Sequence, residues 1–210
     1  MTCTLCSAKT EPFYYYEKED RQYHCCPNCR AILMDLDDYP TPKEEINRYE
    51  SHNNDVEDPR YQNFVSPLVE KITARFNSDS LGLDFGSGTG PVITKMLTDQ
   101  DYTLNVFDPF FDNHPKVLDL KYDYIVSCEV IEHFHQPYKE FRKLKNMLKP
   151  HGALFLKTDV FTDDIDFHAW YYKSDETHVF FYHHDTFKWI QQEFGFSKLE
   201  IDGRHISLFT

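Results

Sequence analysis

From residue 81 onward, short apolar runs alternate with stretches in which apolar side chains recur every three or four positions. Runs 81–85, 103–107, 122–127 and 153–157 predict strands. Segments 91–97 and 137–148 predict helices, the second with Tyr138, Phe141, Leu144, Met147 and Leu148 along one face. Strands alternating with helices predict an α/β fold, doubly wound around a mostly parallel sheet. Near the end, Asp185 predicts the cap of a last helix through Phe194, which Gly195 stops. Residues 196–202 and 204–209 then predict a hairpin at one edge of the sheet.

The pattern before residue 81 is different. Phe13-Tyr14-Tyr15-Tyr16 predicts one strand, and the acidic stretch 35–42, punctuated by Pro40 and Pro42, predicts a linker. Ile46 and Tyr49 fall at helical spacing within 43–53, Asn53-Asn54-Asp55 and Pro59 break that pattern, and a second helix is predicted at 67–76. The predicted organisation is a small module at 1–37, a linker and helical segment at 38–66, and an α/β domain at 67–210.

With 210 residues, 40% of them hydrophobic, the chain suffices for one ordinary domain and a small companion. Lys and Arg total 22 against 35 Asp and Glu, and the resulting net charge of −13 repels phosphate backbones. No Lys/Arg-rich run offsets it, so nucleic acid is a disfavoured partner. The N-terminus lacks a basic-then-apolar export signal, and no apolar stretch reaches the roughly 20 residues of a membrane span. A cytoplasmic protein is expected.

Five of the six cysteines lie in the first 29 residues, as Cys3-x-x-Cys6 and Cys25-Cys26-Pro-Asn-Cys29. Two C-x-x-C knuckles about 20 residues apart can present four thiolates to Zn²⁺. Cys3, Cys6, Cys26 and Cys29 have that spacing, which leaves Cys25 spare. A module this small cannot bury an adequate core, so a structural zinc would supply its folding energy. Two disulfides are the alternative in an oxidising compartment. Four cysteines leave no open coordination position, so the predicted zinc ribbon suits docking or scaffolding.

Residues 83–90, Leu-Asp-Phe-Gly-Ser-Gly-Thr-Gly, end a predicted strand with an acid and three alternating glycines. Gly86, Gly88 and Gly90 remove β-carbons where a ligand meets backbone, and Pro91 can open the helix that follows. The dinucleotide fingerprint needs its third glycine one residue later, and no Walker lysine is present. Eighteen residues on, the next strand ends in Asp108, whose carboxylate would face the same crevice and accept hydrogen bonds from both ribose hydroxyls. A sulfonium nucleoside fits this acidic cradle.

Together with Tyr122-Asp-Tyr-Ile-Val-Ser-Cys-Glu-Val-Ile-Glu-His and Leu148-Lys-Pro-His-Gly-Ala-Leu-Phe-Leu, these motifs resemble the class I S-adenosylmethionine-dependent methyltransferases. The resemblance runs from Leu81 to the C-terminus, within the broad family that includes the quinone-biosynthesis methyltransferases. It implies a Rossmann-like fold. The loop Gly86-Ser87-Gly88 would meet the methionine part of the cofactor, Asp84 would order that loop, and Asp108 would hold the ribose. Ser127 to Glu129 would border the methyl group, with Cys128 a small residue beneath the cofactor. Only 13 residues separate Asp108 from Tyr122, too few for the family's usual helix and third strand. Phe107, Phe110 and Phe111 are therefore candidates for stacking on adenine.

Methyl transfer from a sulfonium requires alignment and, for a neutral acceptor, a base. Glu129 and His133 are candidates just beyond the methyl-bordering strand, and His178 is a second, where the family's matching segment carries a substrate-side histidine. On a helix, Glu129, Glu132 and His133 would share one face. The same Glu-x-x-Glu-His is seen in the small-RNA 2′-O-methyltransferases, where it resembles a Mg²⁺ site completed by a later histidine, here His178. Local pairing is the plainer reading of such a cluster. The aromatic segment 159–176 is expected to roof the site. Tyr49 and His52 are candidates for closing over the cofactor. The expected activity is methyl transfer to a small molecule or a docked protein group, with two alternatives: a Mg-assisted RNA methyltransferase and a non-catalytic cofactor-binding scaffold.

Overall fold

The structure is a computed structural model and describes residues 1–51 and 54–210. Strands β1 (Glu11–Tyr16), β2 (Arg21–Cys25) and β3 (Ile32–Met34) form an antiparallel ribbon. Helices α1 (Pro42–Glu50) and α2 (Pro59–Thr73) follow. The remainder runs β4 (Leu81–Phe85), α3 (Val92–Thr98), β5 (Thr103–Phe107), β6 (Tyr122–Cys128), α4 (Pro137–Met147), β7 (Leu148–Lys157), β8 (Phe180–Phe181), α5 (His184–Glu193), β9 (Lys198–Asp202) and β10 (His205–Phe209).

Six strands make the main sheet, in the order β5-β4-β6-β7-β10-β9. The first four are parallel and the last two antiparallel, so the closing hairpin lies at one edge. Tyr124, Ile125, Val126 and Ser127 of β6 are fully buried, as a central parallel strand covered on both faces requires. Beyond β5 the sheet stops: the short connection to β6 holds only a 3₁₀ turn, Pro115–Asp119.

Helix α2 departs from the expected start at residue 67. Pro59 does not break the chain there but opens the helix after the Asp58 cap, and Pro67 sits inside it. A proline at the first turn loses nothing, because its missing N–H had no helical partner. The interior Pro67 costs about 3 kcal/mol. Burial of Val65, Leu68, Val69 and Ile72 on one face offsets it. Helix α1 ends at Glu50, short of the expected residue 53, and starts on a Thr41–Glu44 capping box.

A fourth strand joins the ribbon: β8, from the far end of the chain, pairs with β3 as Ile32↔Phe181 and Leu33↔Phe180. Only two residues of the returning segment 177–184 are strand, and both are buried. Buried Leu33, Phe180, Phe181 and Tyr182 share one core cluster with Cys3, Cys26 and Cys29 and with Leu83, Phe141 and Leu154 of the α/β part. The ribbon is thus built into the core of the α/β unit. Among the described residues, no helix is long and apolar enough to cross a membrane.

Candidate active site

The loop from β4 to α3 turns through positive φ at Gly86 (78°) and Gly88 (63°). A β-carbon at Gly86 would lie 2.5 Å from the Val130 side chain, so only glycine fits there. The Gly86 N–H donates to the Phe107 carbonyl at 2.8 Å, and the Gly88 N–H donates to Asp108 Oδ2 at 2.9 Å. Asp108 Oδ1 accepts the N–H groups of Phe110 and Phe111 at 2.9 and 3.0 Å. The carboxylate therefore fixes two loops at once, and Oδ2, which accepts a single N–H, keeps a lone pair for a ligand hydroxyl.

This wall bounds a cleft of about 1050 Å³. Gly86, Ser87, Gly88, Asp108 and Cys128 line it. Ser87 Oγ is buried without a hydrogen-bond partner, a group waiting for a polar ligand. Asp84 and Gly90 stand behind the wall. Asp84 accepts a hydrogen bond from Thr94 Oγ1 at 2.8 Å, and burial raises its pKa to about 6. Phe107, Phe110 and Phe111 line the same end of the cleft, with Phe107 stacked on Phe85. Tyr49 of α1 faces the cleft edge-on to His133, while His52 lies outside the described residues. Burial pushes the Cys128 thiol well above its ordinary pKa, which suits a packing residue and not a nucleophile.

Across the cleft, the expected helix over Glu129, Glu132 and His133 is absent. Glu129 instead takes φ 53° at the end of β6, and residues 131–133 form a single 3₁₀ turn. A left-handed non-glycine residue in a cleft is strain of the kind found at functional sites. The three side chains therefore do not share a helix face: Glu129 and Glu132 meet at the Tyr172 phenol, and Glu132 and His133 meet at His178. Glu129 receives both hydrogen bonds from Arg204 Nη2, at 3.0 and 3.1 Å, and Arg204 Nε lies 2.6 Å from Asp159. The Tyr172 phenol sits 3.1 Å from Glu129 Oε2 and in short contact with Glu132 Oε1, while Thr158 Oγ1 donates to Glu132 Oε2 at 3.0 Å. Burial, then the neighbouring Glu132 charge, pushes Glu129 up to about 8; burial pushes Glu132 up to about 7.

His133 and His178 come together with Glu132: one ligand atom from each lies within 4.8 Å of the others. His133 Nδ1 bonds the Thr177 carbonyl at 2.8 Å, and His178 Nδ1 bonds the Tyr172 carbonyl at 2.7 Å. Each bond fixes the proton on Nδ1 and leaves Nε2 as a lone pair. Burial lowers both pKa values, His178 to about 3, so both imidazoles are neutral at pH 7. Arg204 and the Tyr172 hydroxyl carry no sequence signature. Asp202-Gly203-Arg204 reads as turn chemistry, and Tyr172 as one aromatic among many.

The four ribbon thiols also converge. Cys3 Sγ is 3.7 Å from Cys29 Sγ, and Cys6 Sγ is 3.3 Å from Cys26 Sγ. A tetrahedral zinc with bonds of about 2.3 Å has sulfur–sulfur edges of about 3.8 Å. None of the four forms a disulfide, and Cys25 lies outside the cluster. Hydrogen bonding from Cys29 holds Cys26 well below the usual thiol range.

A family profile described as a methyltransferase domain matches residues 58–201. The chain belongs to this methyltransferase family. The matched region is a methyltransferase domain, and its fold is Rossmann-like. Among solved structures it is similar to human N-acetylserotonin methyltransferase in complex with SAM, with TM-score 0.55 and 12% identity over 81% of this chain and 56% of that one. A SAM-dependent methyltransferase from Archaeoglobus fulgidus gives 0.54 and 15% over 71% and 94%. An O-methyltransferase family protein from Burkholderia thailandensis gives 0.51 and 13% over 73% and 60%. The chain thus spans less than two thirds of the length of the first and the last of these. No curated protein matches it.

Proposed function

We propose that this methyltransferase transfers the methyl group of S-adenosylmethionine to an O–H or N–H of a small molecule, or of a protein group that reaches into the cleft. The observation that carries this reading is one cleft with two chemically distinct walls: the glycine loop with Asp108, and Glu129 with its Arg204 and Tyr172 partners. When bound, the cofactor supplies an electrophilic methyl on sulfur. Ser87 and the glycine-loop backbone hold its polar end, Asp108 its ribose, and Phe110 and Phe111 its base. Glu129 accepts the proton that the acceptor loses, while Arg204 keeps the carboxylate in place. Tyr61, Phe64 and Tyr171 provide apolar walls for a compact acceptor.

Two further assignments accompany it. Cys3, Cys6, Cys26 and Cys29 hold a structural zinc. The convergence of Glu132, His133 and His178 favours a second reading, in which these residues hold a divalent cation beside the acceptor, as a metal-assisted RNA methyltransferase would require. Two neutral imidazoles with free Nε2 atoms and a carboxylate are a sound donor set. Glu129 is not part of it, being committed to Arg204. Incubation of the protein with methyl-labelled cofactor and cell extract, split into small-molecule, protein and RNA fractions, tests both readings. Label in the small-molecule or protein fraction is expected, and its magnesium-independence in stripped protein separates the two. Label in RNA alone overturns the first reading.

A further inference from the structure

Among the described residues no ribbon residue lines the cleft, yet the ribbon is tied to the cleft's acceptor wall by backbone bonds that meet at Val179. Val179 accepts a hydrogen bond from the Met34 N–H of β3 at 3.0 Å, and its own N–H donates to the Glu132 carbonyl at 3.0 Å. Backbone bonds therefore run from the strand beside the cysteine knuckle to the 3₁₀ turn carrying Glu132 and His133. His178 precedes Val179 directly, and β8 follows it at Phe180. Flanking bonds hold the same assembly: His133 Nδ1 meets the Thr177 carbonyl, and the Tyr182 hydroxyl donates to the Ile131 carbonyl at 2.8 Å.

The knuckle itself feeds this strand. The Arg30 N–H donates to the Cys26 carbonyl and the Cys26 N–H to the Ala31 carbonyl, both at 2.8 Å, so the turn Cys26–Ala31 leads straight into β3. Thr186 Oγ1 of α5 donates to the Cys29 carbonyl at 2.8 Å, buried. The roof is fastened in the same way. Buried Lys173 places its ammonium over the Tyr16 ring, 5.0 Å from the centroid, and the Lys173 carbonyl accepts from the Tyr23 hydroxyl. Among the described residues the cofactor wall has no such hydrogen-bonded tie: the bonds that set Gly86, Gly88 and Asp108 run among β4, β5 and their loops.

We infer that Val179 is a positioning residue through which the cysteine ribbon sets the acceptor wall, so that the state of the Cys3–Cys6–Cys26–Cys29 centre governs transfer without governing cofactor binding. The inference rests on the reading of the cleft as a methyl-transfer site and of the cysteines as a zinc site. A knuckle that loses its cation frees β3, and β3 is what holds Val179 against Glu132. Misplacement of reacting groups by about 1 Å can cost about 100-fold in rate.

The experiment uses the full chain in three forms: as purified with zinc, stripped by a chelator under reducing conditions, and refilled with zinc. Zinc content, S-adenosylmethionine affinity by calorimetry, the imidazole resonances of His133 and His178, and transfer into the labelled extract fraction are followed together. Stripping is expected to shift both histidine resonances and to lower transfer about 100-fold. Cofactor affinity should change less than about twofold, as for independent sites, and zinc should restore the rest. Cys6→Ser, at the half-buried ligand, should reproduce the stripped form. If that variant fails to fold, the reversible stripping decides. Unmoved histidine resonances, less than one zinc per chain, or loss of zinc and cofactor binding in a single unfolding step would each overturn the inference. A chain that binds no cofactor even with zinc would sink the methyl-transfer reading instead, while the histidine resonances still judge the coupling.

Discussion

Asp84 shows how far a motif residue can stand from the chemistry its motif suggests. It is 4% exposed, behind the glycine loop, and its one side-chain partner is Thr94. Burial raises its pKa from 3.8 to about 6, so the ionised form is less stable folded than unfolded. The carboxyl is fully tolerated below its unfolded pKa, and stability is lost as pH rises from there through about 6. Asp84→Asn, which still accepts from Thr94, should therefore be more stable at pH 8 by on the order of 2–3 kcal/mol and little different at pH 4. Urea unfolding at the two pH values checks this, and equal midpoints at pH 8 would show that the charge is compensated. Arg204 is the converse case, a residue no pattern reveals. Arg204→Met leaves Glu129 without its cation, and transfer should fall about 10- to 100-fold with unchanged cofactor affinity. Arg204→Lys should recover part of the rate. Glycines, Asp108 and Cys128 were legible because backbone approach and strand ends leave sequence marks, whereas a partner from a hairpin turn 75 residues away leaves none.

Elements were legible where periodicity and packing agreed. All four parallel strands, α4 and the closing hairpin follow from apolar spacing, and the missing third strand from the short stretch before Tyr122. Prolines misled: Pro59 reads as a breaker but serves as an N1 residue, and Pro67 is carried inside α2 by the buried face around it. The turn after β6 failed for a different reason. Glu-x-x-Glu-His has helical spacing, but Val179 and Tyr182 capture the backbone carbonyls of Glu132 and Ile131, and those partners are distant in sequence. Helix α1 is held over the cleft by a similar long-range pair, Arg48 with Asp175, at 2.7 Å. Burial alone would raise the Asp175 pKa, but bonds from Arg48 and Thr177 override it and hold the carboxyl well below the usual range. Its contribution is present above the unfolded pKa and is lost as pH falls toward the folded value. Since Arg48 is more than a third exposed, the pair is worth about 1 kcal/mol. Asp175→Asn should lower the unfolding midpoint at pH 7, and the gap from the unaltered protein should narrow as pH falls below the unfolded carboxylate value.

At the scale of the molecule, charge separates the acceptor classes more sharply than the cleft does. The net charge is −13, and the cleft's own carboxylates include Glu45, Glu129 and Asp175. Cations do gather elsewhere, where Lys121, Lys139, Arg142 and Lys143 line a shallow groove beside α4. Lys143 also lines the cleft, where its ammonium lies over Phe85 and pairs with Glu140. Salt therefore discriminates. An RNA acceptor secured by six or more phosphate contacts loses about 10³-fold in affinity between roughly 50 and 200 mM salt. A compact acceptor held by aromatic walls and one carboxylate should change less than about threefold over that range, because close and partly buried pairs are weakly screened. Transfer rates at limiting acceptor, measured across the two salt concentrations, should be nearly flat. A steep fall would move the acceptor site to the groove and place phosphate recognition at the centre of the function.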